Sequence, residues 1–600
     1  MKRGRRLLSD YAPILVVCVA CALFSYLMGP GRYTQRILLL VAIWAAACSS
    51  FNIISGYAGQ VVFGYMMFLG AGAYTSGMLF KFLGVSPWLG MWAGAASAII
   101  TSLIIGIPTL RLKGAFFAIA TVAFPLITVP ILNHMKLEEL SIPFTGKGAG
   151  SMQFHDMRFY VLIGIVLLGV VLSVVRAIES SRFGYRLKAL KQNETAAEAM
   201  GINTYGAKLL AFCMSAGLAA LVGTVYCFGI LYVMTTDAAF GLFIIVRVLS
   251  ITIVGGLSTV WGPLIGACLL VPLGEISNAQ FGGRYPGVQD IIYGLALIVV
   301  ILFMPEGIWG KVRTVFRSSR RASSASDEAP AVAADYRVLA PGPSQVSPEA
   351  NLNGSPILVT ESIGKSFGGV SALSLVSIEV PRGKVIGIIG PNGSGKTTLF
   401  NVINGFFPTE GGRILFEGTD ITNCSPHASC KRGIGRTFQV PQVFSNMTIL
   451  ENIMIGAINR SKSLTEARLE AEKIGRRMGL GRRVDDPAIG LTLWETKILE
   501  FSRALATQPT LLLIDEPMAG LNQEEADRLG EIIKGIAESG ATVVVIEHII
   551  HSLLKIADWM IGLENGRKVA EGLPEEVVAD PHIIEAYLGA RWKEGRHVGS

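Results

Sequence analysis

One stretch decides the fold of the second half of this 600-residue chain: Gly390-Pro391-Asn392-Gly393-Ser394-Gly395-Lys396-Thr397. It matches the pattern G-x-x-x-x-G-K-[ST], whose glycines let backbone N–H groups surround the phosphates of a nucleotide. The apolar run 385–389 before it predicts a buried strand, and a helix is predicted to begin at Lys396. This strand–loop–helix order is the context that the pattern requires, so the sequence predicts an ATP site in an α/β domain.

The side chains of the predicted ATP site have different tasks. Lys396 supplies a positive charge for the β- and γ-phosphates, and the Thr397 hydroxyl is a predicted Mg²⁺ ligand. The residues predicted to bind ATP are Gly390, Pro391, Asn392, Gly393, Ser394, Gly395, Lys396, Thr397 and Thr398.

A pair of acids follows a second apolar run. Asp515 and Glu516 end the run 511–514, and a carboxylate at the carboxyl end of a strand lies where open α/β sheets bind ligands. We expect Asp515 to hold Mg²⁺ and Glu516 to polarise the attacking water. The run 542–546 predicts another buried strand and 523–538 an amphipathic helix, which together indicate a mostly parallel sheet.

The first half of the chain has the composition of a membrane protein. Hydrophobic residues make up 51% of the whole sequence and charged residues 16%, against about 25% charged residues in typical soluble domains. The deficit of charge lies within residues 1–310, where apolar runs approach the roughly 20 residues that span a bilayer. About ten spans are predicted, at 12–29, 36–55, 61–83, 87–109, 115–134, 159–175, 208–233, 240–258, 260–275 and 287–304.

The net charge of +8 is distributed as in a membrane protein. Basic residues cluster at 2–6, 111–113, 176–191 and 311–321, and ten spans put all four clusters on the cytoplasmic side. Eight spans would also keep both ends inside, whereas nine would not. No motif that recognises bases accompanies the charge, so binding to nucleic acid is not expected.

Composition also marks the predicted domain boundaries. Residues 1–310 are predicted to form a polytopic helical membrane domain, and residues 354–600 the ATP-binding domain. Between them, residues 311–353 are rich in Ser, Ala and Pro and lack periodicity, which predicts a flexible linker.

Further motifs in the second half match one family. They are Phe367 before Gly368-Gly369, Arg436-Thr437-Phe438-Gln439, Ala519-Gly520-Leu521-Asn522 and Glu547-His548. With the phosphate loop and the acid pair, they make this half resemble the ATPase subunit of ABC transporters over its whole length. The resemblance implies that Phe367 stacks on adenine and that His548 contacts the γ-phosphate. It also implies that Gln439 is a Mg²⁺ ligand that links the nucleotide to the membrane domain, and that 519–522 is a dimer-contact loop.

One segment departs from the pattern of this family. The family signature is Leu-Ser-Gly-Gly-Gln, and its position relative to the Mg²⁺-binding aspartate falls here on Leu491-Thr492-Leu493-Trp494-Glu495. Both glycines are replaced. Trp494 adds bulk where a close backbone approach is needed, and Glu495 adds negative charge near a triphosphate. Either the segment is a tolerated variant, or one of two composite ATP sites is weak, and the sequence leaves both open.

The first half resembles the permease subunits of branched-chain amino acid (LIV-type) importers over about residues 36–310. The resemblance is carried by Asn52, Gly56, Gly59-Gln60, Phe68, Gly70, Gly72-Ala73-Tyr74, Leu110–Gly114, Phe116–Ile119, Gly255–Leu257, Trp261–Pro263 and Pro305–Trp309. The tail Ile584–Gly589 looks like the ATPases of the same subfamily. Basic residues place residues 180–203 in the cytoplasm, and Gly201 is a stop signal after a helix over 193–200. With Ala196-Ala197-x-x-x-Gly201 this segment resembles the importer coupling helix, and a plain interfacial helix is the alternative.

Together the resemblances imply an ATP hydrolase coupled to transport, an importer of branched-chain or related neutral amino acids with permease and ATPase in one chain. Such an importer needs a second permease, a second ATPase and an extracytoplasmic substrate-binding protein, and it lies in the bacterial inner membrane. The atypical signature favours distinct partner subunits over a second copy of this chain. Urea or a short amide is the alternative cargo. An exporter and a membrane-tethered sensor ATPase are the alternative functions.

Overall fold

A computed structural model describes residues 2–27, 31–112, 114–145, 148–285, 287–312 and 355–588. The chain divides into two compact units, which are described separately below. Of the described residues, those within 2–191 and 205–312 form the helical unit, and those within 192–204 and 355–588 form the α/β unit. The predicted linker, residues 311–353, lies outside the described residues except for its first two positions.

The first part of the chain is built from helices. π-helical turns at Ile53–Tyr57 and Cys227–Leu231 extend two of them, and short antiparallel strands pair Glu139–Ser141 with Val233–Thr235. The helices are Lys2–Leu27, Arg32–Asn52, Met66–Leu83, Pro87–Thr109, Ala115–His134, Met157–Glu179, Arg182–Gln192, Glu194–Ala199, Thr204–Tyr226, Thr236–Phe240, Leu242–Gly255, Gly262–Phe281 and Val288–Phe303.

Each of the ten apolar runs predicted to span a membrane contains a helix. Within the described residues, eight helices are long and apolar enough to cross a bilayer. The remaining two of the ten runs correspond to the helices Lys2–Leu27, whose apolar part Tyr11–Leu27 is short, and Met66–Leu83. The predicted helical membrane fold is therefore confirmed, with the count of ten as an approximation.

Small residues let helices of this unit approach closely. A Cβ atom added to Gly72 would lie 2.2 Å from the carbonyl oxygen of Ala220, and one added to Gly223 would lie 2.1 Å from that of Leu69. The helices Met66–Leu83 and Thr204–Tyr226 thus touch backbone to backbone, as expected where lipid gives no hydrophobic drive for association.

A charged residue, Arg247, lies within one of the apolar helices. Its guanidinium group lies over the rings of Trp44, at 4.9 Å from the centroid, and Tyr293, at 5.4 Å. The two π-faces stabilise a charge that would be costly in an apolar environment.

The α/β unit contains a six-stranded sheet that is parallel except for one edge strand. Strands predicted from apolar runs lie at its centre, and every residue of Val385–Ile389, Leu511–Asp515 and Thr542–Ile546 is buried. Across the sheet the order is Arg567–Gly572, Trp559–Glu564, Val385–Ile389, Thr542–Ile546, Leu511–Asp515 and Ile434–Arg436. The first of these is the antiparallel strand.

A four-stranded antiparallel sheet lies in the same unit, in the order Val370–Val380, Leu358–Phe367, Gly411–Phe416 and Thr419–Asp420. The helices of the C-terminal half are Lys396–Asn404, Pro426–Arg432, Ile449–Ala457, Leu464–Arg477, Leu493–Leu505, Gln523–Glu538, Ile550–Ile556, Pro574–Ala579 and Pro581–Leu588. The helices predicted to begin at Lys396 and to cover 523–538 are both present. The alternation of strands and helices confirms the predicted α/β class.

Candidate active site

The phosphate loop connects the buried strand Val385–Ile389 to the helix Lys396–Asn404. The turn into the helix requires glycine at Gly395, whose φ is +98° and where an added Cβ would lie 2.4 Å from the carbonyl oxygen of Ala372. The Lys396 ammonium donates to the loop's own carbonyl oxygens, at 2.7 Å for Gly390 and 3.0 Å for Pro391. The loop therefore places a cation and a helix N-terminus around one small volume.

Two observations fit this loop to an anionic ligand. The Ser394 hydroxyl is buried and has no hydrogen-bond partner among the described residues, so a ligand oxygen is a suitable partner for it. Burial lowers the pKa of Lys396, and the charges of Glu516 and Asp515 oppose that shift. Additional negative charge beside the ammonium would stabilise its protonated form.

Asp515 lies at the carboxyl end of its strand, beside the phosphate loop. Its Oδ1 atom is 3.5 Å from the Thr397 hydroxyl, and its side chain is 1% exposed. Burial raises the pKa of Asp515 to about 6, with Arg436 opposing the shift and Glu516 adding to it. These hard oxygen donors suit Mg²⁺, which is commonly bound by one or two protein oxygens together with substrate phosphates.

Glu516 follows in a strained backbone conformation, with φ at +44°. The left-handed region is uncommon for residues other than glycine and often marks a functional position. The Gln439 Nε2 atom donates to Glu516 Oε2 at 2.8 Å, and His548 Nδ1 lies 3.7 Å from the same oxygen. The structure thus brings Gln439 and His548, two residues named by the resemblance, to the acid predicted to polarise the attacking water.

Phe367 lies apart from these groups, at the end of its strand in the antiparallel sheet. Its ring is 43% exposed and makes an edge contact with Phe407, with 5.2 Å between centroids. The Lys365 ammonium lies over this ring, 5.4 Å from its centroid, and the exposed part of the side chain suits contact with a planar base.

The signature segment begins the helix Leu493–Leu505. The Thr492 hydroxyl accepts the Glu495 N–H, and the Glu495 carboxylate accepts the Thr492 N–H, so the two residues form a capping box. The same carboxylate pairs with Arg483 at 2.5 Å. The negative charge that the sequence predicted near a triphosphate is therefore neutralised within the described structure.

The two residues in place of the signature glycines differ in exposure. Leu493 is 47% exposed, whereas Trp494 is buried and is 9% exposed. Of these two side chains, Leu493 is therefore the one that a partner at the surface would contact.

The helix that follows the signature also carries a buried acid that the sequence analysis missed. Glu500 is 3% exposed, and its Oε1 atom accepts the N–H groups of Gln442 at 3.1 Å and Phe438 at 3.4 Å. These two bonds hold the loop around Gln439. Burial raises the pKa of Glu500 to about 7, and Arg503 opposes the shift.

Arg436, which the sequence analysis named only as part of a motif and gave no role, lies at the end of the neighbouring strand. It lies 3.7 Å from Asp515 and donates to Asn401 Oδ1 at 2.7 Å. Its guanidinium group also stacks on the rings of Phe406 and Phe438. No local pattern indicates the contact of Arg436 with Asp515 or the role of Glu500, because both contacts join residues that are remote in sequence.

The short helix Glu194–Ala199 belongs to the α/β unit although it lies between membrane helices in the sequence. Asn193 caps it by accepting the N–H of Ala196 at 2.9 Å, and the Asn193 amide donates to the Gln442 side chain. Gln192 accepts the N–H of Asn446 at 2.8 Å. The loop that contains Gln439 is thus bonded to residues 192–193.

Further contacts join the end of this short helix to the rest of the α/β unit. Asn459 donates to the carbonyl oxygen of Met200 at 2.6 Å. Gly201, with φ at +80°, follows the helix where a stop was predicted, and a Cβ added there would lie 3.3 Å from the Cys430 sulfur.

In the helical unit, the residue preceding this segment joins a polar cluster. Lys191 donates to the Ser258 hydroxyl at 2.7 Å, and that hydroxyl donates to the carbonyl oxygen of Gly56 at 2.6 Å. Asn52 accepts the Ser258 N–H and donates to the carbonyl oxygen of Thr259, both at 2.9 Å. We call these five residues the Lys191 cluster. It ties together two places where helices of this unit break, near residues 53–60 and 256–261.

Comparisons with known proteins match both halves of the chain. The model of the branched-chain amino acid transport system permease component matches residues 33–301. The ABC transporter model matches residues 373–519, and the model of the branched-chain amino acid ATP-binding cassette transporter matches residues 567–592.

Several curated relatives match the second half over nearly their entire length. A probable branched-chain amino acid transport ATP-binding protein, LivG, from Archaeoglobus fulgidus is 36% identical over 40% of this chain and 97% of its own. Its namesake from Methanocaldococcus jannaschii is 40% identical over 39% of this chain and 97% of its own. A solved nucleotide-free ATP-binding cassette from an ABC transporter is 38% identical, with a TM-score of 0.37, over 39% of this chain and 99% of its own.

Proposed function

Because this chain belongs to the branched-chain amino acid ABC transporter family and joins a permease component to an ABC ATPase, we propose that it is half of an ATP-driven importer. The proposed cargo is a branched-chain or related neutral amino acid. The proposed direction is inward across a bacterial inner membrane, with the ATPase in the cytoplasm. The domain boundaries that we propose are 1–310 for the permease, 311–353 for a flexible linker and 354–600 for the ATPase.

One observation carries this proposal. The segment 192–204, which interrupts the permease sequence, packs in the same compact unit as the phosphate loop, Asp515 and Glu516. An ATPase that only shared a chain with a permease would have no reason to bind a segment of it. The bonds from Asn193 and Gln192 to the loop around Gln439 support a mechanical role for this segment.

The proposed roles in ATP hydrolysis follow from the contacts above. Lys396 pairs with the β- and γ-phosphates, and residues 390–398 surround them with N–H groups. Phe367 stacks on adenine. The Mg²⁺ ion would be held by Thr397, Asp515 and Gln439, and it would supply charge neutralisation for the phosphates.

Three residues are proposed to handle the attacking water. Glu516 accepts its proton, held in place by the Gln439 amide. The proposed role of His548 is to contact the γ-phosphate, and its position 3.7 Å from Glu516 supports that role. Because Gln439 contacts Glu516 and lies in the loop bonded to Asn193, hydrolysis and movement of residues 192–204 are linked through one loop.

The Lys191 cluster is proposed to pass this movement to the permease. Lys191 is the last residue of the helical unit before the segment 192–204, and Gln192 is the first residue of that segment in the α/β unit. Because Lys191 and Gln192 are consecutive residues of one helix, a shift of Gln192 should also move Lys191. The bond from Lys191 to Ser258 would carry the shift to the two helix breaks.

We predict that Lys191→Met separates ATP hydrolysis from transport. The methionine keeps the length of the side chain but loses the bond to Ser258. Basal ATPase activity should stay within about two-fold, because the change lies outside the ATP site, while solute moved per ATP hydrolysed should fall about ten-fold, the loss expected for a charged hydrogen bond. Parallel ATPase and uptake assays on the reconstituted transporter measure this ratio. Lys188→Met, on the same helix, is the matched control, and an unchanged ratio in Lys191→Met would exclude the cluster from coupling.

A complete importer is proposed to need a second permease, a second ATPase and an extracytoplasmic substrate-binding protein. In this assembly the signature segment of one ATPase faces the nucleotide held by the other. The exposed Leu493 side chain occupies the place of a signature glycine, so this chain would offer a poor contact to its partner's nucleotide. We therefore favour a distinct ATPase partner with an intact signature over a second copy of this chain.

We predict that Leu493→Gly raises ATP turnover at the partner's site several-fold, because it removes bulk from an exposed position. The substitution spares the capping box of Thr492 and Glu495. Trp494→Gly is a poorer test, since loss of a buried aromatic side chain costs about 3–5 kcal/mol of stability. Leu493→Met retains the bulk and should behave as wild type. If Leu493→Gly leaves turnover unchanged, the segment is a tolerated variant.

The cargo assignment is tested by uptake into proteoliposomes that contain the assembled transporter and its binding protein. Labelled leucine, isoleucine and valine should accumulate when ATP is enclosed. Accumulation of urea or a short amide instead of these amino acids would reassign the cargo within the same family. Efflux of the amino acids would replace the importer by an exporter, and ATP hydrolysis without any flux would favour a sensor.

A further inference from the structure

The C-terminal helix Pro581–Leu588 makes a contact with the phosphate loop that no role described above explains. The Tyr587 hydroxyl donates to the carbonyl oxygen of Gly390 at 3.0 Å, and it accepts the N–H of the same residue at 3.0 Å. One side chain, 197 positions away, thus pairs both backbone polar groups of the first loop residue.

Gly390 needs such a partner because of its place in the fold. It is buried and comes directly after the last residue of the strand Val385–Ile389, where the hydrogen-bond ladder of the sheet ends. Buried backbone N–H and C=O groups are costly when unpaired. A Cβ added to Gly390 would lie 2.1 Å from the carbonyl oxygen of Leu563, so the loop has little freedom to turn toward other partners.

The Gly390 carbonyl oxygen is shared with a residue of the ATP site. The Lys396 ammonium also donates to it, at 2.7 Å. In the proposed function Lys396 also pairs with the phosphates of ATP, and its ammonium has a third N–H donor beyond the two that Gly390 and Pro391 accept. The Gly390 carbonyl oxygen therefore helps to aim the Lys396 ammonium, and Tyr587, which donates to the same oxygen, fixes where that oxygen lies.

Apolar contacts, independent of the hydroxyl, also hold the helix in place. Ile583, on the same helix, is 1% exposed and packs against Gly562, where an added Cβ would lie 2.4 Å from its Cδ1 atom. The Tyr587 ring supplies further apolar contact area. The main effect of the Tyr587 hydroxyl is therefore expected at the phosphate loop and not in the packing of the helix.

We propose that Tyr587 is a positioning residue of the ATP site, which fixes Gly390 and, through the shared carbonyl oxygen, the ammonium of Lys396 that pairs with the phosphates. The C-terminal segment thereby sets the affinity of the site for nucleotide. The inference rests on the proposed role of Lys396 in the same site.

Tyr587→Phe tests the proposal, because it removes the hydroxyl and keeps the ring. In the purified full chain, the dissociation constant for the fluorescent probe trinitrophenyl-ATP should rise about ten-fold, the effect expected for one lost hydrogen bond at a buried group. In the assembled transporter, KM for ATP should rise by a similar factor, with kcat at saturating ATP within about two-fold. Ile583→Val, which loosens the same helix without touching the hydroxyl, is the matched control and should leave the dissociation constant unchanged.

Amide hydrogen exchange gives a second measurement that does not depend on activity. In nucleotide-free Tyr587→Phe, exchange in the segment 385–395 should be faster than in wild type and in Ile583→Val. Equal affinity and equal exchange in Tyr587→Phe and wild type would overturn the role of Tyr587. A lower melting temperature with unchanged affinity would show that Tyr587 only stabilises the fold, and it would also overturn the proposed role in nucleotide binding. A wild-type chain that fails to bind the probe would instead contradict the ATP site itself.

Discussion

Glu516→Gln should retain ATP and lose its hydrolysis, with turnover falling by about 10²–10⁴-fold, the usual contribution of a general base. Glutamine has the shape of glutamate and its Oε1 atom can still accept the bond from Gln439 Nε2, now at 2.8 Å to Glu516. It cannot take a proton from water. The left-handed backbone at position 516 is unaffected by this change, so the fold of the site should persist.

The measurement is steady-state release of phosphate, together with retention of labelled ATP. It requires that the second ATPase of the assembly be silenced at its own phosphate-loop lysine, so that only this site is observed. Glu524→Gln, an exposed acid on the helix Gln523–Glu538, is the control and should turn over as wild type. Turnover near the wild-type rate in Glu516→Gln would assign the general base to another residue.

Lys396→Ala is expected to abolish transport. The substitution removes the positive charge at the centre of the phosphate loop, and a charged hydrogen bond of this kind contributes about 1.5–3 kcal/mol before the charge on the phosphates is counted. ATP affinity should therefore fall by about 100-fold or more, and uptake at millimolar ATP should be lost. The bonds from Lys396 to Gly390 and Pro391 are lost as well, so the loop itself becomes less ordered.

Uptake of labelled leucine into proteoliposomes measures the effect on transport, and trinitrophenyl-ATP binding measures the effect on the site. Lys384→Ala is the control, because this exposed lysine lies in the same unit just before the strand Val385–Ile389. Uptake that continues in Lys396→Ala would show that this ATP site does not drive the movement of solute.

The parts of this protein that the sequence predicted are those encoded locally. The conformation of the phosphate loop can be predicted because glycine positions such as Gly395 tolerate no side chain. The strand before the loop and the helix after it belong to the same local pattern. Apolar length was enough to predict where the apolar helices of the first part lie, since each predicted run contains one. The acids 515–516 were found because a strand end fixes where they lie.

The parts that the sequence did not predict depend on contacts between remote residues. Tyr587 contacts Gly390, and Glu500 holds the N–H groups of Phe438 and Gln442, but an amphipathic helix with a glutamate or a tyrosine is too common to indicate either contact. The signature segment shows the same limit. Whether the Glu495 charge faces a nucleotide depended on Arg483, which lies in a separate turn.

Measurement of solute uptake with and without hydrolysable ATP tests the central claim most directly. Proteoliposomes containing the assembled transporter and its binding protein should accumulate labelled amino acid when ATP is enclosed. They should accumulate none without nucleotide, with a non-hydrolysable analogue, or in the Glu516→Gln variant with the partner site silenced. Accumulation against a gradient at the wild-type rate with no nucleotide present would contradict the account.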